Sequence, residues 1–591
     1  MNGELLLTNN TNNANNPRRA EAILFCLSQI HREVTTRCKL LQTISPSLKR
    51  DRDATQQVLL SILNQLVTSH QPSSSTPHRL LQASLDVCGK FSPCYPFIPS
   101  FDASATSHLI QYLQACIPIL PSDAAKSLRA LYVSSVSKQS PAQLQAQSAR
   151  LHILVQSVGA TLRLVSQHTS AEAPLTQVAE GSTRLLLHAP NLDPAASIAN
   201  ELLQPILQQC YASLNQLQVT SPSQSNGSHL PRYHHLLRYL ATIQVMVRFC
   251  DAPDIVNMGP MMLQNLLTPE GSSILDRCVQ ASIQDVELQA NILPKVIQIH
   301  QQLLQTVPTS ILAPIIPSTL TLVVDVFTQT QQACCLKYFA TAVETFGPVP
   351  ETHQSFAELL QHVTGIIVNT TNHSTKDPEV SQAYFECLQR YTLYCPAGFL
   401  WKDNLETAVT VAVHSLTGLE GEKASTRACL LFLSQLIGWN VMRLSDAAKS
   451  VFATGGLGDL VFQKVVMQHG QRLCMECLQG LLGGGPQMLT PAYSDCVCSI
   501  VQCMVVLNGH QQQQREELVS QWLYTAIATT TPSSSNNNTL GSAAAAVSPS
   551  QDSSTSANVV STLIHLAKLP KNHQARSKMK QCLSDLRNKS G

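Results

Sequence analysis

Charge is scarce in this 591-residue chain. Asp, Glu, Lys and Arg together make up 13% of it, about half the share an ordinary soluble domain carries. With a formal net charge of +2 there is no electrostatic case for nucleic acid as a main partner. The first residues, Met1-Asn-Gly-Glu-Leu-Leu-Leu-Thr, lack a basic segment followed by a long apolar run, so no signal peptide is expected. The most apolar stretch, Ile311 to Phe327, is interrupted by Pro314, Pro317 and Asp325 and falls short of a clean membrane span. The 19 cysteines are odd in number and scattered, which does not describe a disulfide framework. The expectation is a soluble protein of a reducing, intracellular compartment, with no membrane or direct nucleic-acid contact, in which the sequons at Asn226, Asn369 and Asn372 carry little weight.

Signs of catalysis are equally thin. No Gly-x-Ser-x-Gly, His-Glu-x-x-His or supported carboxylate pair occurs. Gly483-Gly-Gly-Pro486 and Gly455-Gly-Leu-Gly458 lack the Lys-Ser/Thr of a phosphate-binding loop and read as helix connectors. His234, His235 and His300 have no Asp, Glu or Cys at ligand spacing. The best metal pattern is Cys474-x-x-Cys477 with Cys496-x-Cys498 and Cys503 beyond, two close pairs of the kind a tetrahedral zinc site uses. The second pair is one residue too tight, however, and three-residue spacing within a helix marks a buried stripe, where cysteine packs as a small hydrophobe. Neither enzyme activity nor a cofactor is expected.

What the chain has is helical periodicity on a 44% apolar background. Apolar stripes recur at Ile23-Leu27-Ile30-Val34, Val58-Leu59-Ile62-Leu66, Leu151-Leu154-Val158-Leu162, Leu202-Ile206-Leu207-Leu214 and Leu236-Leu240-Ile243-Val247. Others follow at Ile297-Leu304, Leu359-Val363-Ile367, Leu430-Leu433-Ile437 and Val497-Ile500-Met504. Pro- and Gly-containing stop signals separate them, and strand-like alternation is almost absent. Helices repeating at roughly 40-residue spacing without a strict consensus predict an all-α solenoid of the HEAT type, each pair burying its apolar face against the next. The competing architecture is a set of separate helical bundles. The expected divisions are an Asn-rich disordered start over 1–16 and a solenoid over 17–528 with a polar insertion near 218–229. A disordered Ser/Asn/Ala-rich insertion over 529–558 and terminal helices over 559–591 complete the chain.

The stretch Asp377-Pro-Glu-Val through Tyr384-Phe385, Leu388, Arg390, Cys395-Pro396 and Leu400 reads as one face-buried helix of such a repeat. It also resembles the C-terminal repeats of the transportin-SR branch of the importin-β (karyopherin-β) superfamily. Gly470-Gln-Arg-Leu473, Leu489-Thr-Pro-Ala-Tyr493 and Trp522-Leu523 follow in that family's order. Arg18-Arg-Ala-Glu-Ala-Ile-Leu-Phe25 is similar to the start of a mid-chain repeat, and Lys578-Met-Lys-Gln-Cys-Leu-Ser-Asp-Leu586 to the terminal helix.

The resemblance covers the C-terminal two-thirds of such a receptor and implies nuclear import, with shuttling between cytoplasm and nucleus. It implies protein cargo, typically phosphorylated Arg-Ser splicing factors, and contacts with Phe-Gly repeats of nucleoporins. Ran-GTP belongs to this set only if N-terminal repeats exist outside the chain, since those repeats have no counterpart here. The segment aligned with the arginine-rich cargo helix, Pro294 to Leu303, holds Lys295 and no Arg. The nearby helix with Arg232, Arg238 and Arg248, whose offsets set Arg238 and Arg248 near each other in helical angle, is the candidate substitute, because guanidinium groups grip acidic or phosphorylated peptides bidentately. A solvated face with snorkelling arginines is the competing reading of that helix. The alternative function is a helical-repeat scaffold for a cytoplasmic complex.

Overall fold

The structure is a computed structural model describing residues 21–22, 24–26, 29, 72–73, 76–92, 102–136, 141–188, 192–219, 233–250, 261, 263–371, 377–418, 422–440, 444–482, 485–506, 512–530, 551–569 and 573–590. Among these there is no β-strand, and the fold is an all-α HEAT-type solenoid. The chain divides into two compact units, Met1–Pro314 and Ile315–Gly591.

In the first unit the longer helices are α1 (His78–Phe91), α2 (Ala103–Cys116), α3 (Pro121–Val136), α4 (Ser148–His168), α5 (Glu172–Leu187), α6 (Leu192–Val219), α7 (His234–Phe249), α8 (Pro269–Gln284) and α9 (Leu293–Thr306). Their local starts are chemically determined. Asp102 caps α2 by accepting from the Ala105 amide at 2.9 Å. Thr268 caps α8 through the Gly271 amide at 3.2 Å, with Pro269 at the first helical position, where its missing N–H is not needed. The helices pack in two rows. One runs α1, α3, α5, α7, α9, each against the next; the other runs α2, α4, α6, α8. The predicted stripes are what the rows bury: Leu151, Leu154, Val158 and Leu162 on α4, Leu202, Ile206, Leu207 and Leu214 on α6, and Leu236, Leu240, Ile243 and Val247 on α7 all lie in the core. No helix can bury such a face alone, so the pair is the repeating unit. The stripes expected at 23–34 and 58–66 fall wholly or largely outside the described residues.

The second unit repeats the plan with α10 (Ile316–Thr330), α11 (Ala333–Phe346), α12 (His353–Thr371), α13 (Pro378–Tyr394), α14 (Asn404–Gly418), α15 (Lys423–Ile437), α16 (Met467–Leu482), α17 (Thr490–Val506), α18 (Gln512–Thr530), α19 (Gln551–Lys568) and α20 (His573–Ser590). α11, α13, α15 and α17 form one row and α10, α12, α14, α16 and α18 the other, and α19 and α20 pack against α17. α13 is the helix read from Asp377 onward. Asp377 accepts from the Glu379 amide at 2.9 Å, Pro378 opens the helix, and it stops at Cys395 before Pro396. Its buried Phe385 stacks on Phe432 of α15 at 6.5 Å, and Tyr391 lies edge-on to Phe356 of α12 and to Phe399. The Tyr391 hydroxyl donates to the Phe356 carbonyl at 2.8 Å, so this large buried side chain leaves no unsatisfied polar end.

The segments expected to be disordered over 1–16 and 220–229 lie outside the described residues, as do 531–550. At the edges the boundaries move. α6 continues to Val219 and α18 to Thr530, and α19 already begins at Gln551, so residues 551–558 are helical rather than part of the insertion. The stretch Gln487–Val505, most of it in α17, is long and apolar enough to cross a membrane by composition, and 78% of it is buried, as in a core helix.

Candidate protein-docking surface

Of the four cations singled out in the sequence, Arg232 lies outside the described residues. Arg238 points inward: it is 3% exposed. Its Nη1 donates to the Thr169 carbonyl, and its Nη2 donates to the Ser166 carbonyl at 2.7 Å and the Ser166 hydroxyl at 3.0 Å. These acceptors sit at the C-terminal end of α4, where helical carbonyls have no intrahelical donor and the dipole favours a cation. Burial draws the Arg238 pKa below its ordinary value. Arg238 is thus a tie between α7 and α4, and it does not share a face with Arg248. Helical angle alone does not reveal that one guanidinium has a row of helix-end carbonyls in reach.

Arg248 is exposed, in the last turn of α7, with its guanidinium 5.5 Å from the Phe249 ring centre. Lys295 of α9 is half-buried and donates to Gln244 Oε1 at 3.0 Å, one turn before Arg248.

Two arginines not singled out in the sequence extend this line. Arg129 of α3 grips Glu180 of α5 with both arms of its guanidinium, Nε to Oε2 and Nη2 to Oε1, each at 2.7 Å. That bonding, ahead of the opposing effect of burial, raises the Arg129 pKa. Arg184 approaches the same carboxylate at 3.0 Å and lies 4.3 Å over the Phe249 ring. The close approach of α3 and α5 depends on Gly181: a Cβ there would stand 2.9 Å from the Arg129 Cα. Only the part of this line on α5 was within reach of a sequence reading. Glu180 and Arg184 are four residues apart on one helix, and Gly181 interrupts an otherwise ordinary apolar stripe.

Elsewhere in this unit a cleft of about 280 Å³ opens among α4, α5, α6 and α7, lined by Leu162, Leu175, Leu202 and Ile206 together with Tyr239 and Arg163. Its size and apolar lining suit a single inserted side chain better than a cofactor.

The cysteines of the zinc pattern are core residues. Cys474, Cys477, Cys496, Cys498 and Cys503 are all buried. Burial pushes the Cys498 and Cys503 thiols up to about 12 and holds Cys474 protonated as well. Among the described residues no group of three or more His, Cys, Asp or Glu side chains is placed to hold a metal ion.

No family model and no curated protein matches the chain. Among solved structures, Importin13 in a cytosolic state superposes with a TM-score of 0.56 at 13% identity, covering 97% of this chain and 64% of the other. The chain thus spans less than two thirds of that protein's length, and the likeness establishes a helical-repeat solenoid fold and nothing finer. A solved chain described for a phosphorylation switch between cadherin and β-catenin covers 90% of this chain at 11% identity, with a TM-score of 0.27, too low to add to the argument.

Proposed function

We propose that this chain is the cargo-binding C-terminal part of a nuclear transport receptor of the importin-β type, of the transportin-SR branch, acting by binding without covalent chemistry. The observation that carries this reading is the match of nearly the whole chain to Importin13 at a TM-score of 0.56. It is supported by the order of family-like segments from Asp377 to Leu586. On this reading the two rows of helices offer long faces to protein cargo, Arg-Ser-rich splicing factors among them. The cleft lined by Leu162 and Leu202 is the right size for an aromatic side chain of a Phe-Gly nucleoporin repeat. Ran-GTP joins the partners only where N-terminal repeats precede these. The protein then shuttles between cytoplasm and nucleus, and a ligand at one end shifts affinity at another by biasing the curvature of the stack.

Retention on immobilised partners tests the reading. The purified chain is passed over Phe-Gly repeats, phosphorylated Arg-Ser peptide and GTP-loaded Ran. Capture by the Phe-Gly repeats at micromolar concentration is the expected result. Capture by none of the three leaves a scaffold and overturns the receptor.

A further inference from the structure

We propose that the line Arg129–Glu180–Arg184–Phe249–Arg248, continued to Lys295, is a docking surface for a carboxylate-rich segment of a protein partner. The inference rests on the chain being a protein-binding solenoid, and holds for a receptor and a scaffold alike. The elements are consecutive members of one row: α3 brings Arg129, α5 brings Glu180 and Arg184, α7 brings Phe249 and Arg248, and α9 brings Lys295. Four cations stand against one carboxylate in a chain of which 13% is charged.

Glu180 shows how the surface takes a carboxylate. It is 14% exposed and held by one guanidinium on both oxygens and by a second on one of them, the bidentate geometry that gives arginine its selectivity for planar anions. Arg248 is the unfilled counterpart. It makes no ion pair or hydrogen bond among the described residues, and its exposed guanidinium lies 5.5 Å from the Phe249 ring centre, within cation–π reach. Arg184 lies 4.3 Å from the centre of the same ring, so both guanidinium groups gather at Phe249. A role at the helix ends alone would need a single cation in the last turn; it does not account for Arg129 and Lys295 in the same line. Charge complementarity selects an acidic strand or helix laid across the row, with carboxylates at Arg248 and at the outer edges of Arg184 and Arg129.

The test uses fluorescence anisotropy of the full chain with a fluorescein-labelled Glu/Asp decapeptide at low and physiological salt. A phosphorylated Arg-Ser peptide and an unmodified Lys-rich decapeptide are run as separate arms. Saturable binding of the acidic peptide, weakening with salt, is expected. Arg248→Gln should weaken it roughly threefold and Arg184→Gln/Arg248→Gln about tenfold, within the range of exposed ion pairs. Lys464→Gln in the second unit should leave it unchanged. Arg248→Gln removes no ion pair, so its effect is not one of misfolding. The surface is refuted if the acidic peptide does not bind, if Arg248→Gln binds it as the wild type does, or if the Lys-rich peptide binds as well. Binding of the Arg-Ser peptide alone assigns the row to phosphate and overturns the carboxylate proposal. Retention on Phe-Gly repeats is read separately, so either reading can fail without the other.

Discussion

Arg238 crosses from α7 to the end of α4 and donates to the Ser166 carbonyl at 2.7 Å from a position 3% exposed. A buried cation whose two terminal nitrogens donate to helix-end acceptors ties two elements together, and its removal strands those acceptors. Arg238→Met should therefore lower stability by about 2–4 kcal/mol, read as a fall in melting temperature, while binding of an acidic peptide stays unchanged. Unchanged stability would show that water replaces the guanidinium without cost.

Gly470 of α16 faces the Trp522 ring of α18: a Cβ built on it would lie 2.5 Å from Cζ3. Gly470→Ala should force the indole out of its seat and destabilise by about 1–3 kcal/mol, the usual range for overpacking. The chain holds 3 tryptophans, so a displaced Trp522 should also alter the intrinsic emission. An unshifted spectrum together with an unshifted melt would mean that the two helices separate easily.

The legible part of the molecule was the part governed by period. Stripes such as Leu236-Leu240-Ile243-Val247 are buried as their spacing implies, because a helix shows its core face every three or four residues. The start of α13 at Asp377 and its end before Pro396 were equally local. The docking line was not local. Arg129 and Glu180 are far apart in sequence, and only the stacking of α3 on α5, permitted by Gly181, brings them to 2.7 Å. Arg238 failed as a surface candidate for the same reason, since its partners belong to another helix. Cys474 and Cys477 showed a spacing that a zinc site and a buried stripe share, and the fold fills it with core.

His300 of α9 is buried, and its Nε2 has no hydrogen-bond partner among the described residues. Burial lowers its pKa from the ordinary 6.5 to about 4. The folded state thus holds the ring neutral while the unfolded chain protonates it. This contribution is intact above about pH 6.5 and is lost as the pH falls from there towards 4, by at most on the order of 3 kcal/mol. Asp276, 4.0 Å away and pushed up by burial, offsets part of the loss at the acid end. His300→Leu should flatten the stability profile between pH 6.5 and 4 relative to the wild type. Parallel profiles would remove His300 from the acid sensitivity.

Asp495 of α17 holds the terminal helix. Arg576 Nε donates to its Oδ1 at 3.1 Å and Lys580 Nζ to its Oδ2 at 2.7 Å, while Arg576 also reaches the Ser499 hydroxyl and the Gln502 side-chain oxygen. The pairs are partly exposed, at 18% for Arg576, 37% for Lys580 and 22% for Asp495, so they contribute less than a buried ion pair and more than an open one. Asp495→Ala takes the carboxylate from both cations, leaving Arg576 its bonds to Ser499 and Gln502, and should weaken the docking of α20 by about 1–3 kcal/mol. Hydrogen exchange over 573–590 should then accelerate while α13 keeps its protection, since α20 can open without disturbing the aromatic cluster around Phe385. Uniform acceleration through the second unit would mean instead that α20 and the core open as one cooperative body.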